Sequence, residues 1–237
     1  MDLGLYEEAI KSYKRLIGIK PNGAEVYYNL GAAYAGLSLY KKAIEAYKQV
    51  IGIEPDDAAA YYSLGIAYSD LGLLKDEIEA YKQVIRIKPD DAEAYYNLGV
   101  AYSDLGLLED EIEAYKQVIR IRPEFVLAYH NLGVAYSGLG LYKNAIEAYR
   151  ELIRIRPGDA KAHYNLGVVY GKLGFYKNAI TAYKEAIGIK PDHSKAYYSL
   201  GITYLWVGNR GAALEQYKIL KDLDRDSAEK LVKAINK

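Results

Sequence analysis

Apolar residues recur along this chain at helical spacing, in paired stretches separated by glycine. From Ala92, the run AEAYYNLGVAYSDLG puts Tyr95, Leu98, Gly99 and Tyr102 at steps of three, four and seven, which is one face of a helix. The stretch from Leu107 to Arg122 places Leu108, Ile112, Tyr115, Ile119 and Arg122 at similar steps. Gly106 breaks the chain between the two, and Pro123 stops the second, because its ring cannot follow a helical turn. Asp or Gly after the proline turns the chain into the next pair. The pattern predicts a run of helix hairpins.

The hairpins repeat with one period. Pro21, Pro55, Pro89, Pro123, Pro157 and Pro191 are each 34 residues apart, and they are all the prolines in the chain. Gly31, Gly65, Gly99, Gly133, Gly167 and Gly201 keep the same step, as do Tyr34 through Tyr204 and Tyr13 through Tyr217. Four registers in phase over the whole length mean stacked units, each too small to bury its own apolar face.

These residues resemble the tetratricopeptide repeat family, whose unit has a first helix reading aromatic, two residues, Leu-Gly, two residues, Tyr. The second helix then carries Ala, an aromatic and a terminal Pro. Here that is Tyr27, Leu30, Gly31 and Tyr34, then Ala43, Tyr47 and Pro55, and so on along the chain. The resemblance implies an all-α, right-handed α-solenoid superhelix of 34-residue helix-turn-helix repeats. Full repeats are expected at 24–57, 58–91, 92–125, 126–159, 160–193 and 194–227. Residues 1–23 match only a second helix, and 228–237 form a capping helix with Ala228, Leu231, Val232 and Ile235 on one face. Two units depart from the pattern. The small residue early in the second helix is Ala43, Ala145, Ala179 and Ala213, but Glu77 and Glu111 in the second and third units. Those side chains either point aside into water, which is the simpler reading, or loosen their hairpins.

At about 100° per residue, positions 4, 7, 8 and 11 of each first helix share the packing face. Positions 2, 5, 6, 9, 12 and 13 lie opposite. The resemblance implies that this second set lines a concave surface and contacts a protein or peptide partner. Position 5 reads Tyr28, Tyr62, Tyr96, His130, Tyr164, Tyr198, and position 6 reads Asn29, Ser63, Asn97, Asn131, Asn165, Ser199. Position 9 is aliphatic and includes Val100 and Val134. The asparagine stripe is similar to the ladder in the superhelix of protein O-linked N-acetylglucosamine transferases, where the carboxamide pairs with the backbone of an extended peptide. The alternative is that it braces neighbouring helices. For the tyrosines, burial between first helices competes with ligand stacking in the same way. The carboxylate clamp of chaperone-binding members is disfavoured: Lys161 and Lys195 sit at position 2, but its Lys at 5, Asn at 9 and Arg at 6 are absent.

Charge refines this reading. Lys+Arg and Asp+Glu both number 31, so no net field draws the chain to nucleic acid or to an anionic membrane. Along the expected binding face, however, Glu25, Asp70, Glu93 and Asp104 fall in the first three repeats, and Lys161, Lys172 and Lys195 in the last two. A bound segment is therefore expected to lay its basic part over the N-terminal half and its acidic part over the C-terminal half. Cysteine is absent, which removes disulfides and thiolate chemistry. His130 and His163 read as aromatic substitutes for Tyr, and His193 lies at a loop. The glycines form no phosphate-cradling loop. No catalytic residue, metal site or cofactor is expected. The start MDLGLYEEAI shows no signal peptide, and no apolar run reaches membrane-spanning length, so a soluble, cytoplasmic chain is the default.

The first stretch supplies a competing reading. Leu5, Ala9, Tyr13 and Leu16 form the apolar side of a second helix whose first helix is missing. Such an edge suits either a longer array or self-assembly into a homo-oligomer, with the final helix of one copy filling the slot of another.

Overall fold

In the computed structural model, which describes residues 3–236, the predicted hairpins form with their turns where glycine and proline put them. The described residues make fourteen helices: α1 (Leu3–Ile19), α2 (Ala24–Gly36), α3 (Tyr40–Ile53), α4 (Ala58–Asp70), α5 (Leu74–Ile87), α6 (Ala92–Asp104), α7 (Leu108–Ile121), α8 (Val126–Gly138), α9 (Tyr142–Ile155), α10 (Ala160–Lys172), α11 (Tyr176–Ile189), α12 (Ser194–Trp206), α13 (Arg210–Leu223) and α14 (Arg225–Ile235). The fold is an all-α solenoid of helix-turn-helix repeats. It comprises two compact units, Met1–Pro123 and Glu124–Lys237.

Three local devices set the helix ends. Asp57, Asp91 and Asp159 cap α4, α6 and α10 by accepting from the amides of Ala60, Ala94 and Ala162 at 3.1, 2.9 and 3.0 Å. Each such cap stabilises a helix start by about 1 kcal/mol. The inter-helix turn needs a left-handed residue: Gly72, Gly106, Gly140, Gly174 and Gly208 have φ between 67° and 77°. Around Gly72, the Leu73 amide donates to the Tyr68 carbonyl at 2.9 Å, which closes the end of α4. The first repeat puts Ser38 at this place with φ 57°, the one non-glycine residue with positive φ among those described. At the far end of each second helix the residue before proline is extended, as at Lys88 (φ −128°, ψ 84°), because proline disfavours helical backbone in its predecessor.

The core is built from a ring lying on a glycine. A Cβ added at Gly31 would lie 2.6 Å from Tyr47 Cε1, and Gly65, Gly99, Gly133 and Gly167 meet Tyr81, Tyr115, Tyr149 and Tyr183 at 2.6–2.7 Å. Only a residue without a side chain lets the two helices of a hairpin close this far. The packing face is broader than the four positions expected from the sequence. Position 3 is also buried from the second repeat onward, as at Ala60, where Val50 of the preceding second helix packs with it and with Ala24 of its own first helix.

Glu77 and Glu111 correct the reading from sequence. They do not tilt into water: they are 2% and 3% exposed. Nor do they loosen their hairpins, since Gly65–Tyr81 and Gly99–Tyr115 are as close as the pairs beside alanine. Both carboxyls are held inside.

The last repeat closes differently. α14 begins at Arg225, three residues before the expected start, because Asp224 caps it by accepting from the Ser227 amide at 3.1 Å. Ala228, Leu231 and Ile235 are buried and Val232 is half-buried. Leu231 takes the place on Gly201 that tyrosine holds in the earlier repeats. At the other end Tyr13, with Ile10 and Ile17, packs towards α2 and α3, whereas Leu5 and Leu16 are 65% and 46% exposed. Ala9 is half-buried.

Candidate peptide-binding face

The residues expected to bind a ligand lie in two layers. Nearest the core, the position-5 ring of each of the first five repeats rests on the second-helix tyrosine of its own repeat. Centroid distances are 5.6 Å for Tyr28–Tyr47, 5.7 Å for Tyr62–Tyr81, 5.8 Å for Tyr96–Tyr115, and 5.8 Å for Tyr164–Tyr183. His130 holds the same place over Tyr149 at 6.2 Å, so an imidazole stands where the other repeats put a phenol. Burial, helped by Lys161, lowers the His130 pKa, which keeps the ring neutral and suited to that stack. The rings are half-buried, with one edge open.

Position 6 ties this layer to the next repeat. Asn97 Nδ2 donates to the Tyr62 hydroxyl at 2.8 Å, and Tyr28 and Ser63 exchange a hydrogen bond at 3.2 Å, each across 35 residues. The position-6 groups also reach the inner tyrosines. Burial pushes Tyr149 up to about 12, and the hydroxyl of Ser137 and carboxamide of Asn165 hold it from rising further. Asn97 eases Tyr81 in the same way, against burial and the Glu77 charge. These bonds commit Asn97 to its neighbour, as the bracing alternative has it.

The outer layer is open. Position 9 is aliphatic, with Ala32, Ile66 and Val134 exposed and Val100, Val168 and Ile202 half-buried. Glu25, Glu93, Lys161 and Lys195 at position 2 are exposed, as are Asp70, Asp104 and Lys172 at position 13. One of these charges is already matched. Arg122 holds Glu93 through two hydrogen bonds of 2.7 and 3.0 Å, which lowers the Glu93 pKa.

Each unit has a hollow on this side. In Met1–Pro123 it measures about 320 Å³ and is lined by Tyr28, Tyr62 and Ser63 with Asp91 and Glu93 at its rim. In Glu124–Lys237 a hollow of about 330 Å³ lies among Tyr164, Val168, Tyr198, Ile202 and Trp206, with Lys172 beside it. Trp206 is 59% exposed and touches the Tyr176 ring at 5.4 Å. Sequence reasoning did not single it out, although the chain's only tryptophan falls at position 13. Histidine chemistry does not emerge. His163 Nε2 hydrogen-bonds the Pro157 carbonyl at 3.0 Å, and His193 lies on Tyr164 at 5.0 Å. Among the described residues no His, Asp and Glu cluster suits a metal ion, and no helix is long and apolar enough to cross a membrane.

The family model described as TPR repeat matches residues 1–38, 39–72, 78–106, 104–140 and 139–174, and two described as Tetratricopeptide repeat match 58–91 and 160–193. The chain belongs to the tetratricopeptide repeat family. Its similarity to solved TPR structures runs along most of its length. A MamA protein is 31% identical, with a TM-score of 0.68 over 73% of this chain and 94% of that one. YrrB, a TPR protein with an unusual peptide-binding site, is 20% identical, with a TM-score of 0.70 over 80% of this chain and 98% of its own. The C-terminal part of a TPR repeat-containing protein from Cytophaga hutchinsonii gives a TM-score of 0.84 at 17% identity, over 95% of this chain and 94% of that one. The latter two likenesses show the TPR fold alone. Comparison with curated proteins gives no match.

Proposed function

We propose that this chain is a non-catalytic scaffold that holds an extended peptide or partner segment against the exposed side of its first helices. The observation that carries the reading is the hollow among Tyr164, Val168, Tyr198, Ile202 and Trp206. It pairs apolar area with half-buried tyrosine rings, the composition that anchors a peptide side chain. The peptide-binding property of YrrB supports a ligand in this fold. Lys161, Lys172 and Lys195, in the same unit, favour an acidic neighbour for the anchored residue. Each hydrogen bond nets about 1 kcal/mol, so a few of them with one apolar anchor give roughly micromolar affinity. Trp206 is a built-in reporter. Titrating the chain with peptides from a display selection should shift its fluorescence, and Ile202→Ala should weaken binding about tenfold, or about 1.4 kcal/mol. A selection that enriches nothing, or peptides indifferent to Ile202→Ala and Tyr198→Ala, would remove the reading.

The exposure of Leu5 and Leu16 favours self-assembly through α1 as a second reading. α14 is poorly placed to fill that slot in another copy, because Leu231 and Ile235 are spent inside their own chain. Sedimentation at rising concentration decides it: Leu5→Lys with Leu16→Lys should dissociate any assembly, and Asn97→Ala should not.

A further inference from the structure

Glu77 and Glu111 are the only charged side chains buried among the described residues, and each keeps its Oε2 buried without a hydrogen-bond partner. A buried carboxylate with an unmatched oxygen is among the costliest groups an interior can hold, and native interiors rarely keep one without use. The fold itself does not need it, since Ala43 occupies the same place in the preceding hairpin with its ring–glycine contact intact.

The surroundings say which way the carboxyls reach. Glu77 is eased by the hydroxyl of Ser69, and Glu111 by that of Ser103. Those serines are positions 12 of α4 and α6, exposed on the side where a peptide is proposed to lie. Asp70 and Asp104 follow them at position 13, also exposed, and the Asp104 charge bears on both glutamates. So one strip of Met1–Pro123 carries two exposed carboxyls, each next in sequence to one of these serines, with two buried carboxyls below it. No Lys or Arg of the described residues pairs with any of the four. No three of them meet closely enough to hold a metal ion.

We propose that Asp70, Glu77, Asp104 and Glu111 form an acidic seat for a lysine or arginine side chain of the bound segment. This rests on the peptide-scaffold reading and specifies its ligand. A long-stemmed cation fits the arrangement: its alkyl part lies along Ile66 and Val100 of position 9, and its head reaches down between Ser69 and Ser103. A compact metal ion would instead need converging ligands. The unmatched oxygens then act as stored attraction, left without an internal partner so that an external one is favoured. The basic ligand residue belongs to the end of the segment lying over α4 and α6.

The test uses the full chain and a randomised decapeptide display library, panned in parallel on the wild type and on a D70N/E77Q/D104N/E111Q variant, which keeps shape and removes charge. Lys and Arg should be enriched in peptides selected by the wild type and not in those selected by the variant. A selected peptide should lose about tenfold in affinity when its basic residue becomes Gln, about 1.4 kcal/mol, and the loss should vanish on the variant. A D70N/D104N variant, altered only at the surface, should show a partial loss and guards against misfolding of the fourfold change. Equal Lys and Arg frequencies from both panels overturn the seat while leaving the scaffold reading intact. Stoichiometric calcium or magnesium binding by calorimetry, lost in the variant, overturns it in favour of a metal site. Enrichment of no peptide by either protein overturns the scaffold reading and the seat together.

Discussion

Leu231 lies against Gly201, in the place that Tyr47, Tyr81, Tyr115, Tyr149 and Tyr183 hold over their own glycines. The last helix thus imitates, from a separate element, the contact that each earlier repeat makes within its hairpin. A flexible leucine end meets the glycine here, whereas a flat ring fixed on both faces meets it elsewhere. Gly99→Ala should therefore destabilise the chain by about 1–3 kcal/mol, as overpacking does. Gly201→Ala should cost less, and Gly99→Ala should be partly relieved by Tyr115→Leu. Urea unfolding of the three variants checks the order.

Ser38 stands where five other repeats place a left-handed glycine. A non-glycine residue there costs about 1–2 kcal/mol, part of which glycine returns by loosening the unfolded chain. Ser38→Gly should raise stability by about 1 kcal/mol, and Gly106→Ala should lower it by a similar amount. Thermal melts followed by circular dichroism would show both.

The bond from Asn97 to Tyr62 joins neighbouring repeats. Removing it in Asn97→Ala should cost about 1 kcal/mol. Asn97→Ser should recover much of that, because Ser63 already makes the corresponding bond to Tyr28. Equal losses in the two variants would show that the carboxamide does not act through this contact.

Glu77 and Glu111 make stability depend on pH. Burial lifts both above the ordinary carboxyl value of 4.5, Ser69 and Ser103 lower them somewhat, and Asp104 raises them again. A raised value in the folded chain means that folding is favoured while the groups are protonated. That contribution is complete below the unfolded value and is lost as pH climbs through the folded values. E77A/E111A should then be more stable than the wild type at pH 7, by about 1 kcal/mol per site, with the gap closing towards pH 4. A gap independent of pH would mean that packing, not charge, separates the two proteins.

The hairpins were legible because a 34-residue period sampled six times averages away local ambiguity, and because Gly106 and Pro123 mark ends by backbone sterics alone. The stripes at positions 5, 6 and 9 followed from helical geometry. What escaped were contacts between distant positions. Arg122 reaches Glu93 across 29 residues, so a charge counted as available to a ligand is already matched. Helix phase put Glu77 at the close-packed position of its second helix but not its carboxyl inside, because the serine at position 12 that eases it belongs to another helix. α14 begins early because Asp224, unremarkable in the sequence, turns out to be a cap.

The hydrogen bonds of Tyr28 with Ser63 and of Tyr62 with Asn97 both span 35 residues, one whole period and one step. Cutting out or copying a stretch of 34 gives each such residue a partner at the same place in its repeat, whereas a single inserted residue breaks the spacing of the pair that spans it. The chain is thus written in a unit of exchange, and its length can change by duplication without a fresh interface having to arise.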